Sequence, residues 1–306
     1  MARLIRLATR TLLAVLALAV LAACVQLIRN SGTEALTPPP GDALRLATHN
    51  VHYIVLSEAE GDWSRGDWEA RKPSLDAMVK ALDADVIAFQ EMESFQRGSD
   101  GSVNLARDYL AAQNPGYAVG ATGPWEEFPP TQPIFYREDR LRLLDQGWYF
   151  FSDTPDVIYS RTFNGSWPAF ASWVRLEDRT TGKTFRVVNV HFEYRSGSNR
   201  LQSAELVAAR SADWIAAGET VFLVGDLNAR LGAPTLGILE DAGFTFSPVD
   251  GSTYHFDRGI NLFGAIDHLA YTDGVTPAGA PVVVRRQFAG DWPSDHYPVV
   301  GDFLLP

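Results

Sequence analysis

Asn50, Val51 and His52 in ATHNVHYIV recur as Asn189, Val190 and His191 in VVNVHFEY. About forty residues past each triplet an apolar run ends in a carboxylate, Glu91 after DVIAFQ and Asp226 after TVFLVG, with Asn228 two places on. Farther along, Asp267 precedes His268 in AIDHLAY, and Asp295 and His296 stand together in WPSDHYPV. Carboxylates and amides around a hard cation, beside an imidazole that a second carboxylate orients, are the means to activate a water molecule. Each fragment alone is weak, because a polar residue closing a strand is often only a turn former. Two matched endings ask for more.

The elements that would position these groups repeat as well. LRLATHNVHYIV and TFRVVNVHF are rich in β-branched and aromatic residues and read as strands. Helical periodicity follows each: Leu75, Met78, Val79 and Leu82 make one stripe, and Leu201, Ala204, Val207, Ala208 and Ile215 the other. DVIAFQE and TVFLVGD are continuous apolar runs of the kind buried on both faces. The chain thus contains two strand–helix–strand units, and parallel pairing within each sets both strand ends on one edge of a sheet. Residues i and i+2 of a strand share a face, so Asn189 points with His191 and Asp226 with Asn228. Two such units packed sheet against sheet would bring the strand ends to a single rim.

Outside these units the chain is bounded by its N-terminus. MARLIRLATR carries three arginines and no acid, an apolar core follows, and Leu21-Ala22-Ala23-Cys24 resembles the lipobox of bacterial lipoproteins. An uncleaved anchor helix is the alternative, since the apolar stretch continues through Val25 to Ile28. Both readings put the rest outside the cytoplasm and tie it to a membrane. The expected organisation is 1–24 leader, 25–43 linker with three consecutive prolines, and 44–306 a single domain. Cys24 is the only cysteine, so the domain has no internal disulfide and any metal must use oxygen or imidazole ligands. There are 26 basic and 37 acidic side chains, a net charge of −11, and three of the basic ones belong to the leader. No dense basic stripe is present, which argues against a protein that tracks duplex nucleic acid.

In their order, Asn50, Glu91 in QE, His191 in NVH, Asp226 and Asn228 in GDLN, Asp267 in IDH, and Asp295-His296 in SDHYPV resemble the motifs of the endonuclease/exonuclease/phosphatase superfamily. PIFYR (Pro133–Arg137) and the strand-like LRLLDQGWYF are similar to a middle segment of that family, and the likeness covers about 44 to 304. The resemblance implies the DNase I-like fold, an α/β four-layer sandwich of two packed mixed sheets with outer helices. It also implies hydrolysis of a phosphate ester with magnesium, with manganese or calcium as substitutes. Carried over by motif, Glu91, Asn50 and Asp295 would hold the metal, and His191 and Asn228 would donate hydrogen bonds to the transition state. The proton of the attacking water would go to His296, oriented by Asp267, or to Asp226. Whether the substrate is a phosphodiester or a monoester, and whether nucleic acid is included as in a DNase I-like endonuclease, stays open. A non-catalytic, surface-tethered binding module should lack one of Glu91, Asp226, Asn228 or His296, and all are present. A monomer is expected. His49, His52 and His268 read as structural, Glu93 as rim support or solvated, and His255 and Arg258 as a loop bordering the site. Trp63, Trp68 and Trp125 read as packing under loops.

Overall fold

The computed structural model describes residues 2–31, 35–95 and 102–306. Its elements begin with helix α1 (Ala2–Arg29), strands β1 (Leu44–Asn50) and β2 (Ile54–Val55), helix α2 (Arg65–Leu82), and strands β3 (Val86–Gln90) and β4 (Ser94–Phe95). Helix α3 (Leu105–Gln113) and strands β5 (Tyr117–Gly120), β6 (Ile134–Arg137), β7 (Leu141–Phe150), β8 (Phe170–Asp178) and β9 (Thr184–His191) follow. Then come helix α4 (Gly197–Ala216), β10 (Thr220–Asp226), helix α5 (Pro234–Asp241) and β11 (Thr245–Phe246). The last strands are β12 (Asp267–Tyr271), β13 (Thr276–Pro277), β14 (Val282–Val283) and β15 (Val299–Leu304).

The two repeated units fold as the periodicity predicts. β1 and β3 pair in parallel with Asn50 opposite Gln90, and β9 and β10 pair in parallel with Asp226 opposite His191. Antiparallel strands flank each pair, giving the orders β13-β15-β1-β3-β6-β5, with β14 also on β15, and β11-β12-β10-β9-β8-β7. Both sheets are mixed, and they pack face to face.

Strand alternation explains where the core ends and the polar rim begins. Leu44 and Leu46 of β1, Val86 and Ala88 of β3, Phe185 and Val187 of β9, and Phe222 and Val224 of β10 fill the space between the sheets. One step farther along the same faces come Thr48 and Asn50, Gln90, Asn189 and His191, and Asp226. The inter-sheet layer therefore changes from apolar to polar toward the C-terminal ends of the parallel strands. Gln90 Nε2 donates to Asn189 Oδ1 at 2.6 Å and Asn189 Nδ2 to the Phe89 carbonyl at 2.8 Å, a bridge from sheet to sheet just below the rim.

The opposite strand faces bury Ile87 and Phe89 under α2 and α3, and Val188, Val190, Val221 and Leu223 under α4 and α5. Helix, sheet, sheet and helix make the four layers. Helix α2 starts at Arg65, ahead of the stripe read from the sequence, because the Ser64 side chain accepts the Asp67 N–H. Leu75, Met78, Val79 and Leu82 are buried on it as the spacing predicts, but so is Arg71. On α4 the buried face is Asn199, Ser203, Ala204, Val207 and Ser211. Leu201, Ala208 and Ile215 are only half-buried, since this helix lies on a sheet already covered by large strand side chains and needs small residues to approach it. Helix α1 crosses Cys24 without a break, and its segment Ile5–Arg29 is long and apolar enough to span a membrane.

Candidate active site

The eight candidate site residues lie on the rim or directly behind it. Asn50 ends β1 and Glu91 follows β3, while His191 ends β9, Asp226 ends β10 and Asn228 turns away from it. Asp267 opens β12, and Asp295 and His296 occupy the turn before β15. Three of the rim residues hold left-handed backbone: His52 (φ 64°), Glu91 (φ 52°) and Asn228 (φ 47°). Such strain persists only where the surroundings enforce it.

The side chains converge on Asp226. Its Oδ2 lies 3.3 Å from Asn50 Nδ2, 3.7 Å from His191 Nε2 and 3.8 Å from His296 Nε2, while Oδ1 accepts the Asn228 N–H at 2.9 Å. Asn50 Nδ2 also donates to Glu91 Oε1 at 3.0 Å, so one amide from the first sheet ties carboxylates of both sheets. Its Oδ1 accepts the His52 N–H, which leaves the nitrogen toward Glu91. His191 Nε2 stands 3.7 Å from Glu91 Oε1 as well. Asn228 Nδ2 donates to the Phe192 carbonyl at 2.8 Å.

His296 and Asp267 form a buried pair, Nδ1 to Oδ2 at 2.9 Å, and Thr253 Oγ1 accepts the Asp267 N–H. The bond assigns the Nδ1 proton to the Asp267 side and leaves Nε2 facing Asp226. Burial opposes charge on His296, but the charge and hydrogen bond of Asp267, helped by Asp226 and Asp295, hold its pKa well above the usual imidazole value. Burial also acts to raise Asp267, yet its pKa is lowered by that same imidazolium. Asp226 is pushed up to about 6, first by burial and then by the charge of Asp267. Glu93 rises to about 7 from burial and the nearby Glu91 charge.

Two groupings have the chemistry to hold a cation. Ligand atoms of Asp226, Asp267 and His296 lie within 4.8 Å of one another, close enough for one ion, but two of the three are spent on their mutual hydrogen bond. Glu91 and Asp295 are half-buried at the mouth, and both press on the hydroxyls of Tyr53 and Tyr254, whose pKa values are raised by burial and by these charges. Two half-buried carboxylates at the mouth, both oxygen donors, have the chemistry to hold a hard divalent cation.

Several neighbours behave as the sequence suggested. His49 Nε2 meets the His296 carbonyl at 3.1 Å and His268 Nε2 the Ala229 carbonyl at 2.8 Å, both as buried packing groups. Burial drives the His49 pKa down to about 3 and the His52 pKa to about 4, so both rings are neutral. His255 stacks on Tyr297 at 3.9 Å, and Trp68 is buried, whereas Trp63 is exposed and stacks on Tyr53 at the mouth.

Other contributors were missed. Buried Arg71 donates to the carbonyls of Val51 and His52 and to that of Pro293, joining the turn after β1 to the turn before β15. Ser294 Oγ donates to the Asn50 carbonyl at 2.7 Å, a second tie between them. The signal for Arg71 was present: it stands four residues before Leu75 on the buried face of α2.

Against known proteins, the sequence model described as the Endonuclease/Exonuclease/phosphatase family matches residues 46–296. No curated protein matches the chain. An endonuclease/exonuclease/phosphatase family protein from Bacteroides thetaiotaomicron superposes with a TM-score of 0.71 at 21% identity, covering 88% of this chain and 100% of its own. A mannosyl-6-phosphatase from Bacteroides thetaiotaomicron VPI-5482 gives 0.69 at 22% identity, over 86% and 100%. The human Nocturnin catalytic domain with bound sulfate gives 0.60 at 17% identity, over 89% and 100%. At these identities the likeness is one of fold.

Proposed function

Since the chain belongs to the endonuclease/exonuclease/phosphatase family, whose members hydrolyse phosphate-ester bonds, we propose that it is a divalent-metal-dependent phosphoesterase acting by water attack on the extracytoplasmic side of a membrane. The observation that carries this reading is the convergence of Asn50, His191 and His296 on Asp226 Oδ2, within 3.3 to 3.8 Å. That spacing leaves Asp226 and two imidazole edges facing one point, where a water and a phosphoryl group would meet.

Glu91 and Asp295 would hold the cation, with Asn50 fixing the Glu91 carboxylate and turning its oxygen inward only if it gives up the His52 N–H. Magnesium or manganese there supplies neutralisation of the charge that grows on the phosphoryl oxygens. His191 Nε2 and Asn228 Nδ2 would donate to those oxygens as the trigonal bipyramid forms. Asp226 Oδ2 positions the water, and His296 Nε2, oriented through Nδ1 by Asp267, receives its proton. Asn228 would exchange its bond to the Phe192 carbonyl for one to substrate.

The test is hydrolysis of bis(p-nitrophenyl) phosphate by purified full chain with magnesium, with plasmid DNA and RNA run in parallel. EDTA should abolish turnover and magnesium or manganese restore it. Glu91→Gln should raise the magnesium concentration giving half-maximal rate, because an amide binds a hard cation less well than a carboxylate. Undiminished turnover in EDTA refutes the metal dependence.

A further inference from the structure

A pocket of about 510 Å³ adjoins the rim, and Asn228 forms part of its wall. Tyr254 forms another part, and its ring centroid lies 5.0 Å from that of His296, so the pocket opens onto the reaction centre. Its size is that of a seat for a small organic group. Tyr254 and Phe263 give it aromatic sides, and Leu201 and Ile266 add apolar surface.

Two arginines complete the lining, and they differ. Arg200 Nη1 is occupied by the carbonyls of Glu193 and Tyr194, each at 2.9 Å, and so holds the turn into α4. Arg230 is exposed, lies over the Phe263 ring at 5.5 Å, and has no carboxylate partner among the described residues. Its guanidinium is thus left for a ligand in the pocket, although the chain as a whole carries a net charge of −11. Helix α5 begins in the same wall with no side-chain cap, so its positive end adds to the field of Arg230.

We propose that this pocket takes the part of the substrate beyond the scissile phosphate and selects a flat ring accompanied by a second negative charge. The ring lies against Tyr254 and Phe263, and the charge meets Arg230. The proposal rests on the phosphoesterase reading, because it makes the pocket an extension of the same reaction centre.

Titration calorimetry on the full chain tests it without requiring turnover. The probes are adenosine 3',5'-bisphosphate, adenosine 5'-monophosphate and ribose 5-phosphate. The bisphosphate should bind about tenfold or more tightly than the monophosphate, the scale of one charge-assisted hydrogen bond. The monophosphate should in turn outbind ribose 5-phosphate, which lacks the ring. Arg230→Ala should erase the advantage of the bisphosphate and leave the ratio of the other two unchanged, and Arg230→Lys should restore part of it. Equal binding of bisphosphate and monophosphate, or an advantage that survives Arg230→Ala, overturns the role of the charge. Equal binding of adenosine 5'-monophosphate and ribose 5-phosphate overturns the role of the ring. Hydrolysis of bis(p-nitrophenyl) phosphate by the same preparation reports separately on the phosphoesterase reading.

Discussion

His296 and Asp226 compete for one proton, and their surroundings make the contest measurable. A base works only when deprotonated, so a His296 whose pKa Asp267 holds up gives an acid limb above the ordinary imidazole value of about 6.5. His296→Ala should then cost about a hundredfold or more in turnover and remove that limb. If Asp226 were the base, the limb would survive His296→Ala and move upward, because the imidazolium that lowers the Asp226 pKa is gone. Asp267→Asn should shift the limb to lower pH in either case, since Asp267 raises both groups. The pH dependence of kcat/KM for bis(p-nitrophenyl) phosphate in His296→Ala therefore separates the two assignments. The order along the chain was enough to pick out the eight candidate site residues, but what Asp226 faces was not legible there. Asn50 and Asp226 meet across two sheets, and nothing in the spacing of a sequence measures the gap between them. Arg71 and Ser294 escaped notice for a related reason, as both act through backbone carbonyls that carry no sequence identity.

At the scale of the elements, the rim depends on how closely β9 and β10 approach. Gly225 sits at φ +139° beside the Val190 backbone, and a Cβ there would fall 1.9 Å from the Val190 carbonyl oxygen. Gly225→Ala should cost about 3 kcal/mol or more, from strain and overlap together. The denaturant midpoint measures it, and a midpoint equal to wild type would mean that the two strands separate freely. The paired strand–helix–strand units were readable because period 2 in strands and 3.6 in helices leave marks in sequence. The short strands β2, β4, β11, β13 and β14 leave no such mark, being two residues each and fixed only by their partners. Of the α4 stripe Ala204 and Val207 are fully buried, and the small polar residues Asn199, Ser203 and Ser211, which apolar periodicity does not register, share that face.

For the whole molecule, the apolar helix α1 bears on where the proposed chemistry would take place. Cys24→Ser should abolish lipid attachment in a bacterial host and shift the protein from the membrane to the soluble fraction, read by fractionation and intact mass. If the variant stays in the membrane with its full leader, α1 itself is the anchor. The path of the chain after α1 gives either result a geometric meaning. The Asn30 carbonyl accepts the Ser252 N–H, and Ser31 Oγ accepts from Asn261 Nδ2, next to Thr253, whose hydroxyl holds the start of β12 at the rim. By Thr37 the chain has reached Arg45, at the opposite end of β1 from Asn50. Asn30 and Ser31 thus touch the body at the level of the mouth, and Thr37 touches it at the far end of β1. A segment that reads as a free stalk is held to the body at Asn30, Ser31 and Thr37, and a tether of that kind holds its cargo close. The reaction would then draw on molecules at or just above the anchoring surface, with diffusion along that surface setting how often they arrive.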